Sequence, residues 1–337
     1  MAVKLARLRL RFLFVGLLCT LTIAMFWGVS LVLDGSLLAS EVRCDCQNKG
    51  TDILGRSKNS EARDPHKEVK GVNHSMCVLV PFRDRFEELM EFVPHMNKFL
   101  LRQNIAHELV VINQLDKFRF NRASLINVGF LETRGNCDYI AMHDVDLLPL
   151  NEELRYDFPE DGPLHLAAPH LHPLYHYKTF VGGILLLQSK DFEKLNGLSN
   201  KYWGWGREDD EFFVRMRKAK LKLSRPGNLT SGIKTFKHIH DRKKRKRDYD
   251  KFFDQREKTR RLDKQTGLTS LDYKVDSIRR LTVDSSPVTI LNTYLACDVD
   301  FTPWCLKAED HDWYENRLRE RREQLQQQTD PSHNSHV

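Results

Sequence analysis

Three things are missing from this sequence, and each removes a class of answer. No segment repeats at a fixed period, so solenoid and propeller architectures are excluded. No CxxC pair occurs among the seven cysteines, which argues against a structural zinc site. Charge is missing from only one window long enough to span a bilayer as a helix, Phe12 to Leu33, where Thr20, Thr22 and Ser30 are the polar residues. Lys4, Arg7, Arg9 and Arg11 precede that window, and the positive-inside rule then puts residues 1–11 in the cytosol and everything after Leu33 across the membrane. Ala39 and Ser40 follow too long an apolar run for a cleaved signal peptide, so the window reads as a retained signal anchor.

What is present supports an ordered body. Of 337 residues, 41% are hydrophobic and 10% aromatic, enough for one large core or two fused small ones. The 53 basic and 46 acidic residues leave a formal charge of +7, so the basic excess is local rather than global. A lumenal body permits disulfides. Cys297 and Cys305 bracket a short turn with Pro303 and Trp304, and closing that loop is the favoured pairing. Cys77 and Cys137 stay unassigned, while Cys44 and Cys46 suit an interchain bond, a local bond or free thiols equally. The sequons at Asn73 and Asn228 fit lumenal glycosylation.

Residues 34–73 are polar without hydrophobic period and read as a stem. Order begins at the strand-like run Cys77 to Pro81, followed by a helix to Leu101 with Phe86, Leu89, Met90, Val93, Met96 and Leu100 at helical spacing. His107 to Asn113 reads as a strand, Ala123 to Leu131 as a helix, Tyr139 to His143 as a strand, and Val181 to Leu187 as another. This alternation predicts an α/β fold with a parallel sheet, and ligands then bind at the carboxyl ends of the strands. Short strand-like pieces are expected from the charged region near Arg261 to Cys305, and a polar tail with one helix after Lys307.

Three segments carry chemistry. Asp144-Val145-Asp146 puts two carboxylates two residues apart at a strand end. Solvated acids at a loop start are the commoner meaning of such a pair, but Arg83 and Arg85 at the end of another strand add the equipment for a nucleotide diphosphate. His238-Ile239-His240 repeats the geometry, and oxygen with imidazole donors suits Mn²⁺ if the chain brings these histidines to Asp146. Trp203-Gly204-Trp205-Gly206-Arg207 offers an aromatic platform for a sugar ring, and Glu208 to Glu211 serve as sugar ligands, a proton acceptor or a capped helix start. The run Arg242 to Arg247 is a solvated basic face or an aid to an anionic ligand; a lumenal topology speaks against nucleic acid.

Together, Pro81-Phe82-Arg83-Asp84-Arg85, Phe120-Asn121-Arg122-Ala123, Asp144-Val145-Asp146 and Trp203 to Asp210 resemble the β-1,4-galactosyltransferase family in order and spacing, over about Cys77 to Cys305. His143 to Pro149, Tyr175-His176-Tyr177-Lys178-Thr179 and His238 to His240 look most like the branch that adds galactose to xylose on proteoglycan core proteins. The resemblance implies a GT-A fold with a mostly parallel sheet in one lumenal domain over residues 74–306, UDP-galactose as donor, Mn²⁺ as cofactor, inverting transfer and anchorage in the Golgi membrane. It implies Asp146, His238 and His240 as metal ligands. Pro81, Phe82, Arg83, Asp84, Arg85, Phe120, Asn121, Arg122, Val145, Asp146, Tyr175, Trp205, Phe236, Lys237, His238 and Arg247 are its nucleotide-sugar contacts. Trp205 belongs to a loop that closes over donor and acceptor, and Arg207, Glu208, Asp209 and Asp210 face the acceptor, with Asp209 the catalytic base. The rival readings are transfer to N-acetylglucosamine and a carbohydrate-binding module without turnover.

Overall fold

The computed structural model describes residues 74–260 and 262–329. The expected cytosolic tail, anchor and stem, with Cys19, Cys44, Cys46 and the Asn73 sequon, lie outside them, as do residues 330–337. Among the described residues no helix is long and apolar enough to cross a membrane.

The strands β1 (Ser75–Phe82), β2 (Ala106–Gln114) and β3 (Tyr139–His143) run parallel, with β1 between the other two. They are near-continuous apolar runs because both faces are covered. Val78 and Val80 pack on one side against α1 (Phe86–Arg102), whereas Cys77 and Leu79 pack on the other against α2 (Arg122–Glu132). The buried stripe of α1 is Leu89, Phe92, Val93, Met96, Phe99 and Leu100. Phe86 and Met90, expected in that stripe, lie exposed on its flank.

The complete sheet has seven strands and is mixed rather than mostly parallel. Beyond β3, the chain forms β4 (Leu147–Pro149), β5 (Leu164–His165) and β6 (Ile184–Gln188), then the helices α3 (Ser189–Lys194) and α4 (Glu208–Lys218). After them come β7 (Phe236–His238), α5 (Gln255–Lys258), β8 (Tyr273–Val283), β9 (Ser286–Leu295) and α6 (His311–Thr329). The order is β5-β6-β3-β1-β2-β9-β8. β6 runs antiparallel to β3, and β8 antiparallel to β9, while β9 is parallel to β2. The pieces expected before Cys305 are therefore one long hairpin. Its turn residues Asp284 and Ser285 both have positive φ, 45° and 62°, the backbone a two-residue hairpin turn demands.

Two disulfides tie this frame. Cys297 and Cys305 are joined across the loop after β9, and Cys77 is joined to Cys137 before β3, with Cα atoms 6.4 and 5.7 Å apart.

Candidate active site

Parallel pairing delivers the carboxyl ends of β1, β2 and β3 to one edge. There β4 and β7 form a separate two-stranded sheet with Leu147 opposite His238, and Ile239 N donates to the Asp146 carbonyl at 2.9 Å. That small ladder brings the distant acidic and imidazole segments together. Asp146 Oδ2 lies 3.2 Å from His240 Nδ1, and the His238 and His240 rings are 5.7 Å apart. Burial resists ionisation of Asp146, but its bond to His240 and the nearby His238 and Arg85 outweigh this and hold its pKa below the ordinary value. Among the described residues no three donor side chains are already gathered into an ion cage. His240 Nδ1 also lies 3.0 Å from Arg85 Nη1. A carboxylate beside two imidazoles is nevertheless a donor set that fits Mn²⁺. His172, buried 6.4 Å from the His238 ring, accepts at Nδ1 from the backbone of Leu174 and Tyr175 and so orients the Tyr175 turn.

The two acids of the Asp-Val-Asp segment take different partners, with Val145 buried between them. Asp144 binds the Arg122 guanidinium at 2.7 Å, and Arg122 Nη1 lies 3.8 Å from Glu208 Oε1. Glu208, Asp209, Asp210 and Glu211 form the first turn of α4, entered through Arg207 in a left-handed conformation (φ 78°). Glu211 is structural, paired with Arg215 at 2.9 Å. Asp210 accepts from the Tyr177 hydroxyl. Asp209 rests against Gly182, where a Cβ would come within 2.7 Å of its Oδ2. Burial first, then the charges of Glu208 and Asp210, push the Asp209 pKa up to about 8, with Arg122 opposing. A carboxyl poised there suits proton abstraction near neutral pH.

The other expected contacts divide. Arg247 stands over the Trp205 ring at 5.1 Å and the Tyr175 ring at 5.6 Å, bringing these three together. Pro81 is buried at the end of β1, with Phe82 half-buried and Asp84 exposed beyond it. Arg83 instead spends its donors on the carbonyls of Gln114, Asp116 and Phe118, the last at 2.6 Å, and so ties down the loop leaving β2. Phe120 offers its carbonyl to Gly204 N, and the Asn121 side chain caps α2 by accepting from Ser124 N. Phe236 is fully buried in the core, and Lys237 pairs with Glu91 on α1. The basic run splits: Lys244 and Arg245 pair with Glu87 and Glu88, leaving Arg247 to the cleft. Asn228 is exposed, with φ 59°. Sequence reasoning gave no site role to His172, Gly182, Tyr177 or the pair Arg119 and Asp248, although Tyr177 lies in a segment singled out for its resemblance. An arginine flanked by Phe118 and Phe120 was the available signal for that pair.

The model described as N-terminal region of glycosyl transferase group 7 matches residues 57–159, and that described as N-terminal domain of galactosyltransferase matches residues 162–240. Drosophila melanogaster beta-1,4-galactosyltransferase 7 is 55% identical over 260 residues, 76% of this chain and 80% of that one. The solved catalytic domain of a Drosophila beta1,4galactosyltransferase 7 in complex with xylobiose superposes with a TM-score of 0.69 at 59% identity, over 70% of this chain and all of that one. A mutant of that enzyme, solved with manganese, UDP-Gal and xylobiose, gives 0.68 at 58% identity over the same shares. The fold is thus a GT-A-like α/β fold with a mixed central sheet. With the acidic segment, the paired histidines and the Trp/Gly/acid loop all on one sheet edge, the chain belongs to the β-1,4-galactosyltransferase family.

Proposed function

We propose that this chain is a manganese-dependent enzyme that transfers galactose from UDP-galactose to the 4-hydroxyl of xylose, with inversion. The observation that carries the reading is the half-buried Asp209 carboxyl, its pKa raised to about 8, set beside Glu208, which Arg122 links to Asp144 in the segment that holds the Asp146 and His240 pair. Asp209 takes the proton of the acceptor hydroxyl as that oxygen attacks the anomeric carbon and UDP departs on the opposite side. Asp210, fixed by Tyr177, and Glu208, held near Arg122, bind acceptor hydroxyls beside it. Trp205 and Arg247 cover the sugar and exclude water. Asp146, His238 and His240 would hold Mn²⁺, which when bound supplies positive charge to the departing diphosphate.

Relatives named for transfer to xylosylprotein, and one solved with xylobiose, support xylose on proteoglycan core proteins as the acceptor. We extend the reading to a type II protein of the Golgi membrane, anchored by Phe12 to Leu33 with its catalytic body in the lumen and glycosylated at Asn73 and Asn228. The test is to incubate the full-length protein in detergent with UDP-galactose, Mn²⁺ and a panel of β-xylosides and N-acetylglucosaminides. Galactosylated xyloside is the expected product. Product on N-acetylglucosaminides alone reassigns the acceptor, and binding without transfer reduces the protein to a carbohydrate-binding module.

A further inference from the structure

Arg119 lies outside every contact assigned above, yet it is among the most thoroughly bonded side chains in the molecule. Its side chain is 3% exposed, and all five guanidinium donors are used. Nε and Nη2 bind the two oxygens of Asp248 at 2.6 and 2.7 Å, Nη2 also reaches the Asp250 carbonyl, and Nη1 reaches Gln255 Oε1 and the Trp304 carbonyl. A buried arginine needs such satisfaction merely to be tolerated. What exceeds tolerance is the destination of these partners.

Two of them, Asp248 and Gln255, lead to the Trp203 to Trp205 loop. Gln255 Nε2 donates to the Trp203 carbonyl at 2.8 Å. Gly204, with φ +78°, lays its Cα against the guanidinium so closely that a Cβ would collide with Nη2. The Asp248 carbonyl accepts from Trp205 N at 2.8 Å, and Lys251 Nζ donates to the Trp205 carbonyl at 2.8 Å. The exposed Trp205 ring meets Tyr249 edge-on at 4.7 Å. The segment 248–255 and the Trp205 loop are thus registered to each other by direct bonds, and Arg119 binds both Asp248 and Gln255 while pressing on Gly204 at their junction.

We propose that Arg119, through its bidentate pair with Asp248, is a positioning residue that sets the Trp205 platform for the acceptor sugar. A planar fork is required, because an ammonium cannot span both Asp248 oxygens while serving three further acceptors. The inference rests on Trp205 being an acceptor-loop residue of the enzyme described above.

The experiment compares full-length parent, Arg119→Lys and Asp248→Asn in detergent, with UDP-galactose, Mn²⁺ and a β-xyloside. Misplacing a binding platform should raise the acceptor KM roughly tenfold. UDP affinity should stay within about twofold, because only uniform acceptor binding is lost. The ¹⁹F resonance of 5-fluorotryptophan at Trp205, assigned by its disappearance in Trp205→Phe, should shift in both variants. An unchanged acceptor KM with kcat falling in proportion to the folded fraction overturns the proposal, as does a raised KM with an unmoved Trp205 resonance. Failure of both variants to fold overturns it too, since the pair is then a folding anchor. A parent that transfers nothing to xylosides refutes the functional reading instead, and the ¹⁹F comparison still reports on the anchor.

Discussion

Asp146 and Asp209 share one cleft, yet the chain holds them by different means. Asp146 follows a fully buried strand, and a backbone ladder between β4 and β7 fixes its imidazole neighbours. Asp209 lies in the first turn of a helix entered through three positive-φ residues, Gly204, Gly206 and Arg207, and its surroundings are held largely by side chains. Backbone pairing sets the corner proposed for the metal, whereas the rim proposed for the acceptor depends more on side-chain contacts. Chemistry that needs a fixed charge and a closing platform is served by that division.

Replacing Asp209 breaks the comparison most sharply. Asp209→Asn should cut turnover on xylosides by roughly two to four orders of magnitude while UDP and Mn²⁺ affinity hold steady, because the base belongs to the rim alone. Single-turnover kinetics beside UDP titration checks both halves. The same substitution should raise Tm at neutral pH. The folded protein keeps a proton on Asp209 between the ordinary value of 3.8 and its own of about 8, so stability declines as pH rises through that window. Asn removes the decline, and paired melting curves at pH 5 and 8 reveal it. In the parent without bound ligands, kcat/KM should climb as pH rises toward about 8, where the base loses its proton.

The opposite corner responds differently. His240→Ala should raise the Mn²⁺ concentration needed for half-maximal activity by at least roughly tenfold, and EDTA should abolish parent turnover. Full activity in metal-free buffer would falsify that assignment. Gly182→Ala sits between the two corners: its Cβ must displace Asp209 Oδ2, and a loss in kcat of about tenfold is expected with Mn²⁺ response unchanged. Smallest is Lys244→Ala, which removes an exposed pair with Glu87 and should alter stability by less than about 1 kcal/mol. A larger loss would place the basic run within the cleft machinery.

Residues whose role follows from strand ends and short-range spacing were legible. Val145 is buried between diverging acids, and the three strand ends reach one edge, because periodicity and parallel pairing dictate both. The parallel bias of the expected sheet was too strong, since nothing local in Val181 to Leu187 reveals the direction in which that strand returns. Arg83 illustrates a second limit. An arginine at a strand end reads as a phosphate ligand, but competing carbonyls from the next loop arrive only through tertiary packing. Arg119 was invisible for the same reason, as all its partners lie far along the chain.

The Cys77–Cys137 bond reaches across 60 residues, the whole crossover that carries β2, α1 and α2 between two adjacent parallel strands. Parallel neighbours joined by long connections pair late, because loop closure must be met before any contact rewards it. Closing that loop covalently removes about 4 kcal/mol of chain freedom from the unfolded ensemble. Once the bond forms, β1 and β3 remain neighbours even in a chain that has not finished packing. Chains produced where thiols stay reduced should accumulate as aggregation-prone intermediates with exposed strand edges.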